Sequence, residues 1–303
     1  MKVFIFGGTG LIGSALTPLL TDAGYDVTVF TRNLLRIKKK ALPRVTYIQW
    51  DSESSDQLAS NFTGDYSIIN LAGENLGQLW TKTSKQRMID SRIRVTEAIS
   101  KAIQQSPNSP SCVLQGSAVG YYGSAGNEKI TENTGPGKGF LSELAAGWEK
   151  ALEVDDKNVR IVFIRTGIVF SNMGGFLPNM LLPFRFFAGS WFGDGSQYLP
   201  WIHIHDQTHA MLHLLGNPRS SGPYNLAAPE PVTMKQFCKI AGKLMKRPCW
   251  MTIPAWILKK TVPEMADEVF LISQKVIPEK LKAEGFEFKF RDPERALSNL
   301  ILT

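Results

Sequence analysis

The first thirty residues constrain this chain more than any other part of it. Val3-Phe4-Ile5-Phe6 is a short apolar run ended by glycine, as in a strand buried on both faces of a parallel sheet. Gly7-Gly8-Thr9-Gly10-Leu11-Ile12-Gly13 follows at once. Leu11, Ile12, Ala15, Leu16, Leu19 and Leu20 then recur at helical spacing until Gly24. Pro18 lies inside that helix and is expected to kink it or remove one hydrogen bond. The next strand is Asp26-Val27-Thr28-Val29-Phe30. A glycine turn in this setting lets backbone approach a pyrophosphate, and the helix start offers N–H groups and a positive dipole end. The flanking elements are the context that makes G-x-x-G-x-x-G a dinucleotide signal.

The end of the second strand selects the nucleotide. An NAD site places Asp or Glu there to accept from the ribose 2′-hydroxyl. This chain has Thr31-Arg32, and Asp26 stands at the wrong end of the strand. A carboxylate would repel a 2′-phosphate, whereas a guanidinium pairs with it, so NADP(H) rather than NAD is expected. Arg32, Arg36, Lys38, Lys39, Lys40 and Arg44 form a cationic run without a carboxylate. It reads either as a phosphate-reading patch or as a solvated basic loop.

Further strands are expected at Val45–Trp50, Tyr66–Gly73, around Val113-Leu114 and at Val159–Phe163, with an amphipathic helix from Met88 to Ile103. The alternation implies an α/β fold with a Rossmann-type, doubly wound parallel sheet. Asp51, at a strand's carboxyl end, either touches an adenine or caps the helix that follows. After Pro229 the chain reads as two or three helices punctuated by prolines, with Met234, Phe237, Ile240, Leu244 and Met245 as a core stripe. Tyr224-Asn225-Leu226 is expected to return to the large sheet.

Composition closes other routes. The 303 residues carry a net charge of +7, yet no interleaved Arg/aromatic surface, so no nucleic-acid partner is expected. No apolar run approaches the ~20 residues of a membrane span, and the N-terminus lacks a signal-type apolar region. Cys112, Cys238 and Cys249 are widely spaced and read as reduced packing residues, which points to the cytoplasm. His203, His205, His209 and His213 invite a metal reading. On a strand His203 and His205 would share one face, and with no cysteine near and Asp206 the one adjacent carboxylate, no metal is expected. Arg185, alone in the apolar stretch Phe176–Phe192, is either an anion reader for substrate or a salt-bridged surface residue.

The glycine turn, Asn70-Leu71-Ala72-Gly73, the strand-five serine, Tyr122-Gly123 and Arg165-Thr166-Gly167 resemble the extended short-chain dehydrogenase/reductase superfamily. Leu71-Ala72-Gly73-Glu74-Asn75, Ser117 to Gly123, Leu181 to Arg185, Trp201 to Asp206, Tyr224 to Pro229 and Gln274 to Pro278 resemble more narrowly its atypical epimerase-like branch, which has a C-terminal domain of unknown function. Some members of that branch have been called cell-division-inhibitor homologues. The resemblance implies an NADP-binding Rossmann domain over 1–169, with a returning strand near 223–228, and a smaller, mostly helical, interleaved lobe over 170–303. Cofactor contacts would fall on Gly7, Thr9, Gly10, Leu11, Ile12, Gly13, Thr31, Arg32, Asp51, Leu71, Ala72, Gly73, Glu74 and Arg92. It also accounts for His203 and Asp206 as features of a strand-to-helix turn.

One departure bears on the chemistry. Active members of that superfamily use Tyr-x-x-x-Lys, where the lysine lowers the tyrosine pKa for proton transfer. Here the corresponding positions hold Leu141 and Ala145, or Phe140 and Leu144 in the neighbouring register. The helper serine's place falls on Ala118, one residue after Ser117. Ser117, Tyr121 and Tyr122 remain as proton donors, with packing as the alternative role of Tyr122. The expected function is an NADP(H)-binding oxidoreductase or epimerase acting on a nucleotide-sugar-like or small carbonyl substrate. The alternative is a catalytically silent NADP(H) sensor or regulator with a protein partner.

Overall fold

β1 (Lys2–Phe6) has no polar face to offer water, and Val3 to Phe6 are all buried. It therefore lies inside a sheet. β2 (Asp26–Thr31), β3 (Val45–Gln49), β4 (Tyr66–Asn70), β5 (Cys112–Ala118), β6 (Arg160–Thr166) and β7 (Gly222–Leu226) complete seven strands in the order β7-β6-β5-β4-β1-β2-β3. The pairings of β1 with β2 and β4, β2 with β3, and β4 with β5 are parallel. The chain leaves β1 toward one edge and resumes with β4 on its other side, so β1 and β4 flank the topological switch point. The computed structural model describes residues 1–37 and 42–302, so Lys38, Lys39 and Lys40 of the basic run lie outside the described residues.

Two expected strands end early, β3 at Gln49 and β4 at Asn70. The residues after each bend away from the ladder, Asp51 into a turn and Ala72 under a hydrogen bond to Asn70 Oδ1 of 3.1 Å. Helices α1 (Leu11–Asp22), α2 (Ser55–Ala59) and α3 (Lys82–Gln105) connect these strands. α3 begins six residues before the expected Met88, because Thr81 and Ser84 form a capping box that stabilises an extra polar turn. α1 runs through Pro18, which cannot donate to the carbonyl of Ser14.

The chain packs as two compact units, one of Met1–Ser117, Ala146–Ile164 and Thr208–Pro223, the other of Ala118–Ala145, Arg165–Gln207 and Tyr224–Thr303. Crossings fall after residues 117, 145, 164, 207 and 223, where the sequence reading put its main division at 169 with a return near 223–228. In the first unit Phe6 stacks on Phe30 with ring centroids 5.0 Å apart, and Trp50 meets Phe6 edge-on at 5.2 Å. Phe4, Phe62 and Tyr66 extend the same cluster. The second unit is built on Phe170, Phe184, Trp201 and Phe237. Around them lie α5 (Phe176–Arg185), α7 (Met234–Met245) and the helix Pro293–Leu302. α4 (Phe140–Lys150) and α6 (Ile204–Gly216) each supply residues to both units. The expected stripe on α7 belongs to this core. The second unit also carries four two-stranded ladders, among them the parallel pairs Ile168–Phe170 with Trp201–His203 and Gly189–Phe192 with Cys249–Ile253. Strands of two to five residues are too short to show a period in sequence. Among the described residues no helix is long and apolar enough to cross a membrane.

α1 approaches the sheet closely because of glycine. A Cβ on Gly13 would lie 2.5 Å from Gly8 Cα and 2.6 Å from the Gly7 carbonyl oxygen, backbone that cannot step aside. Gly13→Val should therefore destabilise the fold by about 3 kcal/mol or more, the upper end of overpacking costs. Gly216→Ala, where an added Cβ meets nothing within 4 Å, should stay within about 0.5 kcal/mol of the parent in urea titration.

Candidate functional site

The carboxyl ends of β1, β2 and β4 and the segment after β3 open into one cavity of about 480 Å³ in the first unit. Gly7, Thr9 and Gly10 form one wall, Thr31 and Arg32 the next, and Asp51 follows; Leu71, Ala72, Gly73 and Glu74 close the far side. Gly10 caps α1 with no side-chain hydrogen bond, and the first turn of α1 carries no acidic residue. N–H groups at such an end suit a phosphate. The turn itself needs glycine: Gly7 has φ +76°, and a Cβ there would fall 2.5 Å from the Leu71 carbonyl oxygen.

Leu11, Ile12 and Gly13 lie on α1 behind this wall and do not line the cavity. Arg92 does not line it either. Its guanidinium is buried, donating through Nη1 to the Met88 carbonyl at 3.0 Å and through Nη2 to the Glu74 carbonyl at 3.1 Å. It lies 5.0 Å over the Trp148 ring, and Gly73 leaves it room, since a Cβ there would come within 2.8 Å of Arg92 Cζ. Burial lowers its pKa to about 10, which leaves it charged at neutral pH. Arg92 thus holds the Gly73-Glu74 segment from behind, where sequence reasoning expected a cofactor contact.

Sequence reasoning missed the polar face of α3. Arg87, Asp90, Ser91, Arg94 and Val95 line the cavity at spacings of three and four, one face of a helix. The signal was present as a second period beside the apolar one. Glu74 accepts from Arg87 Nε at 3.0 Å and from Gln78 Nε2 at 2.9 Å, and these bonds, Gln78 first, hold its carboxyl below the usual range. Arg94 pairs with Asp90 at 3.3 Å. Asp51 accepts from the backbone N–H groups of Glu53 and Ser54, each at 2.8 Å, which also lowers its pKa. It therefore shapes the turn before α2 while facing the cavity; the cap of α2 is Ser54. Of the basic run, Arg44 is paired with Asp26 at 2.9 Å, whereas Arg32 is exposed at the cavity rim.

The catalytic candidates divide. Ser117 is buried and its hydroxyl donates to Glu149 Oε1 at 2.6 Å, both in the first unit. Tyr122 lies in the second unit, donating to Asn225 Oδ1 at 2.6 Å and accepting from Arg165 Nη1 at 3.0 Å. Burial pushes its phenol up to about 12. Arg165 also stacks 3.6 Å over the Tyr121 ring. Leu141 and Ala145 are on α4, whose first N–H groups, those of Phe140 and Leu141, donate to the Glu268 carboxylate at 2.8 Å each. Arg185 lines a different cavity, of about 430 Å³ in the second unit, together with Leu177, Leu181 and Arg247.

His203 ends its strand and His205 lies on α6, so the two do not share a strand face as the sequence reading had them. The helix already begins at Ile204, and Asp206 in its first turn directs its carboxylate to the N–H groups of Lys289 and Phe290 at 3.1 and 2.8 Å. His203 stacks on Phe290 at 3.8 Å, accepts through Nδ1 from the N–H of His205, and meets Asn299 through Nε2. Among the described residues no group of three His, Cys, Asp or Glu side chains is placed to hold a metal.

Comparison with known proteins places this geometry. Residues 3–227 match the NAD dependent epimerase/dehydratase family, and residues 253–300 match a domain of unknown function, DUF1731. The chain belongs to the NAD dependent epimerase/dehydratase family. The epimerase family protein YfhF of Bacillus subtilis is 36% identical over 303 residues, 99% of this chain and 98% of the relative. The crystal structure of human epimerase family protein SDR39U1 with NADPH aligns over 100% of both chains with a TM-score of 0.89 at 31% identity. Thermus thermophilus UDP-glucose 4-epimerase, in complex with NAD, shares the fold at a TM-score of 0.75, over 99% of this chain and 98% of its own, with 19% identity. The family's Rossmann-like sheet is the one described above, with its switch point at β1 and β4.

Two expectations follow for this family member. Tyr122→Phe removes the hydroxyl that Asn225 Oδ1 and Arg165 Nη1 both bond in a buried setting, so unfolding should become easier by about 1–3 kcal/mol, measured in urea. Burial pulls His203 from 6.5 down to about 4, so the unfolded chain takes a proton that the folded one refuses. The stability from neutral His203 is full above about pH 6.5 and falls, by about 3 kcal/mol, as the pH drops toward 4. His203→Gln should flatten the unfolding free energy across that window.

Proposed function

We propose that the first unit's cavity binds NADP(H), with Arg32 reading the 2′-phosphate and the Gly7–Gly13 turn receiving the pyrophosphate. The observation that carries this reading is the cavity rim itself. It joins the glycine turn after β1 to Thr31-Arg32 after β2, and β2's one carboxylate, Asp26, is at the far end and paired with Arg44. The human relative, whose structure is with NADPH, supports the choice of dinucleotide. Thr31 and Arg32 stand where an NAD site would place an acid.

A bound nicotinamide supplies hydride acceptance and return. The chain's own contribution is to hold the dinucleotide and to handle a proton, in an oxidoreductase or epimerase acting on a nucleotide-sugar-like or small carbonyl substrate. Between Ser117 and Tyr122, Ser117 is the better placed. Its hydrogen bond to Glu149 gives its proton a base to move to, whereas Tyr122 is fixed between Asn225 and Arg165 with its pKa raised. The second reading, a catalytically silent NADP(H) sensor acting on a protein partner, is favoured by Leu141 and Ala145 in place of the tyrosine and lysine. The three free cysteines fit a cytoplasmic protein, although a relative from Arabidopsis thaliana is named chloroplastic.

Calorimetric titration with NADPH, NADP, NADH and NAD tests the binding step. The phosphorylated pair should bind at least about tenfold more tightly, in line with charge-assisted hydrogen bonds to one phosphate. Arg32→Asp should erase or invert that preference. An unchanged preference would take Arg32 out of phosphate recognition. Screening the complexes by nicotinamide absorbance against nucleotide sugars and carbonyls separates the two functional readings. Turnover that Ser117→Ala abolishes supports the enzyme, and tight binding without turnover supports the sensor.

A further inference from the structure

The three cysteines occupy different surroundings. Cys112 is buried in β5, and burial pushes its thiol up to about 11. Cys249 is half-buried at the start of the strand Cys249–Ile253. It lines a surface hollow of about 290 Å³ in the second unit with Lys239, Lys243, Lys246 and Arg247. Lys243 is paired with Glu294 at 2.6 Å, and Arg247 stacks 4.4 Å over Phe187, but the wall around the thiol remains cationic. Such a field favours the thiolate, the form that reacts with a peroxide.

The second observation is a partner thiol. Cys238 is buried on α7, one turn before Gly242. A Cβ at Gly242 would lie 3.0 Å from Cys249 Cβ, so the bare glycine is what brings the strand's first residue onto the face of α7 that carries Cys238. The two neighbouring thiols influence each other, Cys238 holding Cys249 below the usual thiol range and being held above it in turn. Cys238 also reaches the Ser190 carbonyl at 3.4 Å. A half-buried thiol in a basic hollow, packed one turn along from a buried second thiol, is the arrangement of a peroxidatic and a resolving cysteine.

We propose that Cys249 is a hydroperoxide-reactive modification site and that Cys238 resolves it into a reversible intramolecular disulfide. The Cys249 thiolate attacks one peroxide oxygen, the O–O bond breaks, and hydroxide leaves and takes a proton to become water. Cys249 is then a sulfenic acid, oxidised by two electrons as the peroxide is reduced. The Cys238 sulfur attacks the Cys249 sulfur, the S–S bond forms, the S–O bond breaks, and the hydroxyl departs with the Cys238 proton as a second water. A thiol reductant reverses the product. The bond would lock the C-terminal half of α7 to the parallel pair Gly189–Phe192 and Cys249–Ile253.

The full chain is treated with equimolar hydrogen peroxide, blocked with an alkylating agent, and mapped by peptide mass spectrometry. A linked Cys238–Cys249 peptide, two hydrogens lighter and released by dithiothreitol, with Cys112 still alkylated, is the expected result. In Cys238→Ser, dimedone should label Cys249 as the trapped sulfenic acid. The double change Lys239→Gln with Lys246→Gln should slow alkylation of Cys249 by roughly threefold or more at low salt. The proposal is overturned if Cys112 and Cys249 oxidise equally, if Cys249 reaches sulfinic acid with no linked peptide, or if the cationic changes leave its reactivity unaltered. The mapping of the parent chain decides the case even where Cys238→Ser does not fold.

Discussion

The candidate site depends on backbone meeting backbone at the glycine turn. Gly13 lets α1 rest on Gly8 and Gly7, and Gly7 in turn lies against the Leu71 carbonyl at the end of β4. Two neighbouring strands and a helix therefore share one steric solution, with no side chain between them. Because β1 and β4 flank the switch point, the same contact that packs the helix also leaves the crevice open above it. A fold that filled this position with side chains would gain local packing and lose the exposed N–H groups at the start of α1.

Charge inside the molecule is handled by the backbone more than by ion pairs. Arg92 spends its donors on the carbonyls of Met88 and Glu74, and Asp206 accepts from the N–H groups of Lys289 and Phe290. Arg160 does the same with the carbonyls of Leu214, Leu215 and Ser220. Each charge thereby fixes the course of a segment that has no ladder of its own. In the case of Arg92 that segment is Gly73-Glu74, a wall of the cavity. Its influence on a ligand is exerted through position, since the guanidinium itself is hidden behind the chain it holds.

This explains what could be read from sequence and what could not. The glycine turn, β2 and its Arg32 were legible because their geometry is local: sterics within a few residues decide it. The Met234–Met245 stripe was legible because a core face repeats every turn. Arg92 was misread because its role depends on Gly73 and Trp148, which only the fold brings beside it. The cap on α4 comes from Glu268, more than a hundred residues away, and nothing near Phe140 announces it. The helix start at Ile204 is hidden because His203 and His205 alternate as on a strand and the acidic signal, Asp206, lies inside the first turn. The four short ladders of the second unit left no periodic trace at all.

The missing tyrosine and lysine cannot be regarded as two isolated losses. Ala145 is 3% exposed, so an ammonium there would be desolvated. Leu141 lies against Gly120, where an added Cβ would meet the Leu141 Cβ at 3.2 Å, and its N–H is already committed to Glu268. Position 145 is buried and position 141 is occupied, so the chain is packed there for the residues it has. Any proton chemistry therefore has to come from groups that retain a polar partner, and Ser117 with Glu149 is such a pair. Tyr122 keeps polar partners as well, but burial outweighs the opposing pull of Arg165 and Asn225 and holds its proton on the ring oxygen.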